Sequence, residues 1–134
     1  MNYFLLKSDP ETYGWKELTA DGSTRWDGIR SYAARNHLRA MKKGDIALFY
    51  HSNSDDGVVG TVQVLKEHYP DPGAPGEDWS AIDIKVHKPL KKPVPLDTIK
   101  KSRRLKNILL LKMGRLSVMP VTEAEYKAIL ELGS

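Results

Sequence analysis

The stretch Ile46-Ala-Leu-Phe-Tyr-His-Ser-Asn-Ser-Asp-Asp-Gly-Val-Val-Gly-Thr-Val-Gln-Val-Leu65 predicts the centre of the fold. Its first five residues are all apolar, which indicates a strand that is covered on both faces. The polar segment 53–57 is a turn, and residues 58–65 form the returning strand of a hairpin. Gly60, in the middle of that strand, indicates a β-bulge or a close backbone approach.

Further short strands and helices are predicted on either side of this hairpin. The patterns predict strands over 3–7, 81–87 and 115–118, a helical turn over 15–18, and helices over 32–41, 96–101 and from 122 onward, with 108–111 open between helix and strand. Strands that do not alternate regularly with helices argue against a parallel doubly wound sheet. We therefore expect an α+β fold, a small mixed-strand β-barrel flanked by short helices.

Composition limits the class of protein. A length of 134 residues predicts one domain, 1–134. There are no cysteines, which excludes disulfide scaffolds, thiolate zinc sites and thiol catalysis. The N-terminal apolar run is too short for a signal peptide, and no stretch approaches the roughly 20 apolar residues of a membrane span. We expect a soluble, cytoplasmic protein that does not bind membranes.

The charge is distributed unevenly along the chain. Residues 85–115 contain eleven Lys or Arg and one acidic residue, a net charge of +10, whereas the rest of the chain carries −6. Such a basic segment on an otherwise acidic protein is typical of a surface that faces a polyanion. The alternative is a solvated loop and helix face.

The segment Trp26-Asp-Gly-Ile-Arg-Ser-Tyr-Ala-Ala-Arg-Asn36 combines aromatic, cationic and amide side chains around a glycine. This mixture predicts a pocket for a flat, polar ligand such as a nucleobase, because rings stack on it and polar groups read its edge. Tyr32 and Trp79 could line the same slot, with a cation–π contribution from Arg30 or Arg35. The alternative for Trp26 is a partly buried core position.

Polar groups also follow two of the predicted strands. Lys7-Ser8-Asp9 ends the first strand and His51-Ser52-Asn53 ends the buried one, so neighbouring strands would bring both groups to one opening. Arg115, from a third strand, would supply a cationic wall. The alternatives are a structural His51, turn-capping roles for the polar residues, and a buried ion pair of Arg115 with an aspartate.

Several kinds of chemistry have no support in the sequence. The four histidines are scattered without metal-ligand spacing, no nucleophile elbow surrounds a serine, and Gly57-Val-Val-Gly60 lacks the lysine and helix of a phosphate-binding loop. We therefore expect no bound metal, no cofactor and no enzymatic activity.

Several short motifs together resemble one known family. They are Lys7-Ser-Asp-Pro10, Trp26–Asn36, Lys43-Gly-Asp45, Phe49-Tyr-His-Ser52, Val59-Gly60, Tyr69-Pro-Asp71 and Gly114-Arg-Leu-Ser-Val-Met-Pro-Val121. In this order they resemble the EVE domain family over nearly the whole chain. Asp9 stands where the family usually has Glu, and Ile29, Ser31 and Ala33 depart from its central Val-Arg-Asn-Tyr-Gln-Ala-Arg-Asn segment. The loop 72–78 is short compared with many members.

The resemblance implies a PUA-like fold, kinship with YTH domains, which hold N6-methyladenine in an aromatic cage, and a role as a reader of modified bases in DNA or RNA. By that analogy Trp26 corresponds to the first wall of the cage. Fold kinship alone does not determine function.

These observations lead to one hypothesis, a non-enzymatic nucleic-acid-binding module that captures a modified base, flipped or single-stranded. The base would contact Trp26, Tyr32, Arg30, Trp79, Ser8, Asp9, His51, Ser52 and Asn53. Phosphates would contact Arg35, Arg115, Lys101, Arg103 and Arg104. On this hypothesis, replacing Trp26 with Ala abolishes binding and leaves stability nearly unchanged. The alternative is a small-molecule, nucleotide-binding or protein-interaction domain. The sequence leaves open the modification, the nucleic acid and the oligomeric state.

Overall fold

The computed structural model describes all 134 residues as one six-stranded mixed sheet with flanking helices. The strand order is β2-β5-β4-β3-β1-β6. The strands are β1 Tyr3–Ser8, β2 Ser23–Trp26, β3 Ile46–His51, β4 Gly57–Pro70, β5 Ser80–Val94 and β6 Val118–Val121. The helices are α1 Pro10–Tyr13, α2 Trp15–Asp21, α3 Tyr32–Ala40, α4 Leu96–Lys101, α5 Leu109–Lys112 and α6 Glu123–Leu132, with a 3-10 helix at Arg103–Leu105.

The predicted hairpin is confirmed as the antiparallel pair β3–β4 in the middle of the sheet. Every residue of β3 is buried. The register shifts between Phe49, opposite Gly60, and Tyr50, opposite Val58, so one extra residue forms a bulge. A Cβ on Gly60 would lie 2.4 Å from the indole ring of Trp15. Both predictions for this glycine are therefore correct.

The pairing of β1 with β3 decides where the polar strand ends lie. The two strands are parallel and in register from Tyr3 with Ile46 to Ser8 with His51. Because their carboxyl ends lie side by side, the polar groups that follow them meet at one edge of the sheet. The antiparallel strand β6 flanks β1 on its other side.

The sheet is open, since its edge strands β2 and β6 are not paired with each other. The mixed strand directions and short flanking helices confirm the expected α+β fold class, with the strands in an open sheet and not a closed barrel. Register shifts recur along the long β4–β5 pair, and such bulges bend a sheet. A cluster of 31 buried residues fills the space between the sheet and its helices.

Helix α3 follows the predicted pattern closely. The Ser31 side chain caps it by accepting from the backbone N–H of Ala34 at 3.4 Å. Ala34, Leu38 and Met41 are fully buried, as their spacing predicts. The capping box of Thr122 and Glu125 likewise opens α6. None of the helices has the length and apolar character that crossing a membrane requires.

Other boundaries differ from the prediction. The short strand β2 and the single turn α1 are absent from the sequence patterns, because four residues are too few to show a period. Strand β6 begins at Val118, so Arg115 lies in the preceding turn and not in a strand. Strands β4 and β5 extend well beyond the predicted 58–65 and 81–87, because they pair with each other along nearly their whole length, from Val58 with Val94 to Pro70 with Ser80.

Candidate functional site

A cavity of about 570 Å³ opens where β1 ends beside α1 and β2. Its walls mix aromatic, cationic and carboxylate side chains. The lining residues are Lys7, Ser8, Asp9, Thr12, Tyr13, Thr24, Arg25, Trp26 and Asp27. This size lies within the range of small-molecule pockets. Three of the predicted base-contacting residues, Ser8, Asp9 and Trp26, meet here.

Trp26 forms the apolar floor of the cavity. It ends β2, where it pairs with Ile82, and only 9% of its surface is exposed. Its ring lies edge-on to Phe49 at 5.7 Å and to Tyr13 at 6.5 Å. Trp26 therefore ends a strand and does not belong to an irregular segment, and because it is part of both the core and the cavity wall its removal is expected to cost stability.

Ser8 and Asp9 hold the turn from β1 into α1. The Ser8 hydroxyl donates to the carbonyl of Tyr13. One Asp9 oxygen accepts from the backbone N–H of Glu11 at 3.0 Å and caps α1, and the other accepts from the Asn53 side chain at 3.2 Å. The Asp9 carboxylate therefore has a fixed orientation at the cavity while retaining free lone pairs.

Two cations stand at the cavity rim. The Lys7 ammonium donates to the carbonyl of Gly114 at 2.7 Å, and burial lowers the Lys7 pKa. Arg25 pairs with Asp27 at 2.9 Å, and the hydrogen bond to that carboxylate raises the Arg25 pKa. About half of the Arg25 side chain remains exposed. The rim thus offers both a cation and carboxylate acceptors to a ligand.

His51 and Ser52 do not line the cavity. The buried His51 accepts the backbone N–H of Trp15 at Nε2, 3.0 Å away, and its Nδ1 lies 3.1 Å from the Asp56 carboxylate. The hydrogen bond with His51 lowers the pKa of Asp56. The backbone N–H of Ser52 donates to the Ser8 carbonyl at 2.9 Å. Both residues fasten the strand ends, and neither lines the cavity that was predicted to hold a base.

Asn53 has a supporting role of its own. It adopts a left-handed backbone conformation, with φ of 53°, after the end of β3. From there its amide reaches the Asp9 carboxylate. It touches the candidate site through Asp9 and does not line the cavity itself.

Tyr32 and Trp79 form a separate aromatic pair outside the cavity lining. Their rings stack with centroids 5.3 Å apart and planes at 21°. The Arg30 guanidinium lies 5.7 Å from the Trp79 ring, and that of Arg35 lies 5.0 Å from the Tyr32 ring. The predicted cation–π contacts are present, but a single slot shared with Trp26 is not, because neither ring lines that cavity.

Asp71 holds the connection between the cavity and the aromatic pair. It is 2% exposed and accepts from the Gly28 amide, the Arg30 guanidinium and the Gly73 amide at 2.7–3.0 Å. Burial opposes its ionisation, but these hydrogen bonds outweigh burial and lower its pKa. The site prediction missed Asp71, although it belongs to the motif Tyr69-Pro-Asp71.

Comparison with known proteins identifies the family. The model of the EVE domain matches residues 2–132. The chain belongs to the EVE domain family. Thymocyte nuclear protein 1 of Mus musculus is 36% identical over 98% of this chain and 73% of its own length. The resemblance inferred from the short motifs is therefore confirmed.

Solved structures of relatives share the fold of this EVE domain. A protein from Agrobacterium tumefaciens is 41% identical, with a TM-score of 0.97 over 100% of this chain and 94% of its own. The human THYN1 protein is 33% identical, with a TM-score of 0.91 over 100% and 98%. That human structure is a complex with DNA containing 5-methylcytosine.

The cations predicted to bind phosphate have different environments in this EVE domain. Arg35 is 14% exposed and pairs with Asp78 at 3.0 Å, which makes it a structural clamp. Lys101 and Arg103 are exposed, whereas Arg104 pairs with Glu131. No group of three or more metal-ligating side chains occurs in the structure.

Arg115 occupies a position of its own among these cations. It is exposed and makes no ion pair with Asp9 or Asp27, so that alternative is wrong. It follows Gly114, the acceptor of Lys7, in the turn before β6. The turn that carries Arg115 therefore contacts Lys7, a residue of the cavity lining.

Proposed function

We propose that this EVE domain is a non-enzymatic nucleic-acid-binding module that captures a modified base in the cavity at Trp26. The observation that carries the proposal is a pocket-sized cavity with an aromatic floor and carboxylate acceptors, in a fold whose human relative was solved with 5-methylcytosine DNA. A flipped or single-stranded base would enter it edge first.

The residues of the cavity suit a cytosine-like edge. An exocyclic amine donates hydrogen bonds, and the Asp9 and Asp27 carboxylates would accept them. The Trp26 and Tyr13 rings would contact the apolar part of the base. Lys7 and Arg25 at the rim would bind the flanking phosphates, which supply the sequence-independent part of the affinity.

The modification itself would contribute modestly. Burying one methyl group contributes about 0.8 kcal/mol, which corresponds to roughly fourfold in affinity. Greater selectivity would require that the unmodified base leave part of the cavity wet. The test therefore compares several modified bases in one sequence context.

A non-enzymatic role is supported by what lines the cavity. The lining contains neither histidine nor cysteine. Its one serine, Ser8, donates a hydrogen bond to the Tyr13 carbonyl. A nucleophile needs an adjacent base within hydrogen-bonding distance. The Asp9 carboxylate already accepts hydrogen bonds from Glu11 and Asn53, as expected of a positioned acceptor.

The test is binding of oligonucleotides that carry cytosine, 5-methylcytosine or other modified bases, measured by fluorescence anisotropy. We expect the native protein to prefer a modified base. Asp9→Asn should weaken binding at least tenfold while leaving the melting temperature within a few degrees, because Asn also caps helices well. The matched control is Asp55→Asn, which changes an exposed carboxylate outside the cavity.

Two outcomes would overturn the proposal. One is equal affinity for all modified and unmodified oligonucleotides, and the other is an equal response of the two variants. Saturation by a free nucleoside or metabolite without any response to oligonucleotides would favour the small-molecule alternative.

A further inference from the structure

An aromatic surface outside the cavity is already organised to receive a ligand. Tyr32, at the start of α3, keeps 69% of its surface exposed although its ring is stacked on Trp79. Trp79 and the Arg35 guanidinium both contact the Tyr32 ring, yet most of the residue remains open to solvent. We call the pair Tyr32–Trp79 the aromatic platform.

Ion pairs next to the platform hold the Arg35 guanidinium against its two rings. Arg35 lies 5.0 Å from the Tyr32 ring and 5.9 Å from the Trp79 ring, and it pairs with Asp78 at 3.0 Å. Arg39 pairs with the other oxygen of the same carboxylate at 2.6 Å. A ring fixed before binding loses little rotamer freedom when a ligand stacks on it. The arrangement therefore favours stacking of a flat ligand on the Tyr32 ring.

The platform lies within reach of the cavity at Trp26. Asp27 lines the cavity, and Arg30 lies 5.7 Å from the Trp79 ring. These two residues are three apart in sequence, which limits their backbone separation to about 11 Å. Asp71 fixes the segment between them through Gly28 and Arg30. A strand that places one base in the cavity can therefore bring a neighbouring nucleotide to the platform.

We propose that the aromatic platform is a second nucleotide subsite, on which an unpaired base next to the captured base stacks against Tyr32. The inference rests on the proposed function. Every nucleobase has a flat π face, so this subsite would tolerate any sequence. The Arg30 side chain, 42% exposed at the platform edge, is placed to contact the phosphate between the two bases.

The test compares Tyr32→Ala, Tyr32→Phe and the control Leu65→Ala, which removes another exposed apolar side chain. The ligands are a single-stranded oligonucleotide with a central 5-methylcytosine, the same strand with abasic sugars beside that base, and the free 5-methylcytosine nucleoside. We expect Tyr32→Ala to weaken binding of the first strand by about 5- to 150-fold, the range for loss of one base–aromatic stack.

The other ligands and variants should separate the two subsites. Tyr32→Phe and Leu65→Ala should bind like the native protein, because both keep the ring. The native protein should bind the strand with abasic neighbours more weakly than the intact strand. The Tyr32→Ala variant should bind both strands with the same affinity. Binding of the free nucleoside should be the same in all variants, because the cavity alone would hold it.

The outcomes distinguish this inference from the function on which it rests. If Tyr32→Ala binds the intact strand as tightly as native protein does, the platform subsite is overturned, and native preference for the modified base would still support the cavity. If binding depends on Tyr32 and neighbouring bases but ignores the modification, the platform stands and modified-base capture fails. If native protein binds no oligonucleotide, both are overturned.

Discussion

Trp26 and Tyr32 lie six residues apart in one segment, yet they belong to different kinds of surface. Trp26 is 9% exposed and packs against Phe49 in the core, so the fold needs it. Tyr32 is 69% exposed and rests on Trp79, with no counterpart in the core. Gly28, which adopts a positive φ of 78° and donates to Asp71, separates the two.

The difference shows that one aromatic-rich segment can contribute to two separate surfaces, a cavity wall and an exposed aromatic pair. The half that ends β2 is held by strand pairing and packing, whereas the half that starts α3 is held by cations and a cap. If the proposed function holds, a variant of Trp26 should change folding and binding together. A variant of Tyr32 should then change binding with little effect on folding, which makes it the cleaner probe of function.

The largest expected effect tests this contrast in stability directly. Trp26→Ala should lower the free energy of unfolding by about 3–5 kcal/mol, because it leaves a cavity beside Phe49. Tyr32→Ala should lower it by about 1 kcal/mol or less, since it loses only one exposed aromatic stack. Urea denaturation of both variants measures the difference. Similar losses in the two would show that the platform is part of the folding core.

The next prediction concerns the connection between the two regions. Asp71→Ala should cost about 1–3 kcal/mol, because the Gly28 and Gly73 amides lose their acceptor. Denaturation at neutral pH measures this loss. The Tyr32–Trp79 pair should also become more mobile, which NMR relaxation would detect.

Asp71 should also make stability depend on pH. Its pKa is lower in the folded than in the unfolded protein, so ionisation favours the fold. The contribution is complete above the ordinary Asp pKa of about 3.9 and is lost as the pH falls through the lowered value. Between pH 6 and 3, native protein should therefore lose more stability than Asp71→Asn does. Asp55→Asn should follow the native curve, and a native curve parallel to that of Asp71→Asn would contradict the prediction.

The smallest expected effect locates the phosphates relative to the two regions. Arg115, beside the acceptor of Lys7, should bind one phosphate. Arg115→Ala should make the slope of log affinity against log salt shallower by about one, with little change in the preference between bases. Lys127→Ala, which removes a cation from the exposed face of α6, is the control. If the slope for Arg115→Ala equals or exceeds that of the native protein, the bound nucleic acid does not contact Arg115.

Parts of the site were predictable because they follow from local rules. The buried β3 strand, the bulge at Gly60 and the Ser31 cap each depend on residues within a few positions of one another. Convergence of the Lys7–Asp9 and His51–Asn53 groups was predictable only as a condition, since it required β1 and β3 to be neighbours. The parallel pairing met that condition.

The structure differs from the prediction where distant residues occupy the hydrogen-bonding groups that were assigned to a ligand. The His51 side chain could hydrogen-bond a ligand, but Trp15 and Asp56 occupy both of its ring nitrogens. Arg35 is similarly occupied by Asp78. The role of Asp71 was not evident from the sequence, because two of its three side-chain partners, Gly28 and Arg30, lie more than forty positions away. A sequence shows which side chains can form hydrogen bonds. Which of them remain free for a ligand depends on the groups that the fold brings next to them.

The family, the fold class, the central hairpin and the kinds of side chain available to a ligand could all be inferred from the order of residues. Periodicity, capping and turn chemistry act over a few residues and are written directly in the chain. The placement of Trp26 and Tyr32 on separate surfaces became evident from the three-dimensional fold alone. That separation depends on the buried Asp71 and on strand β2, whose positions are set by long-range packing and pairing.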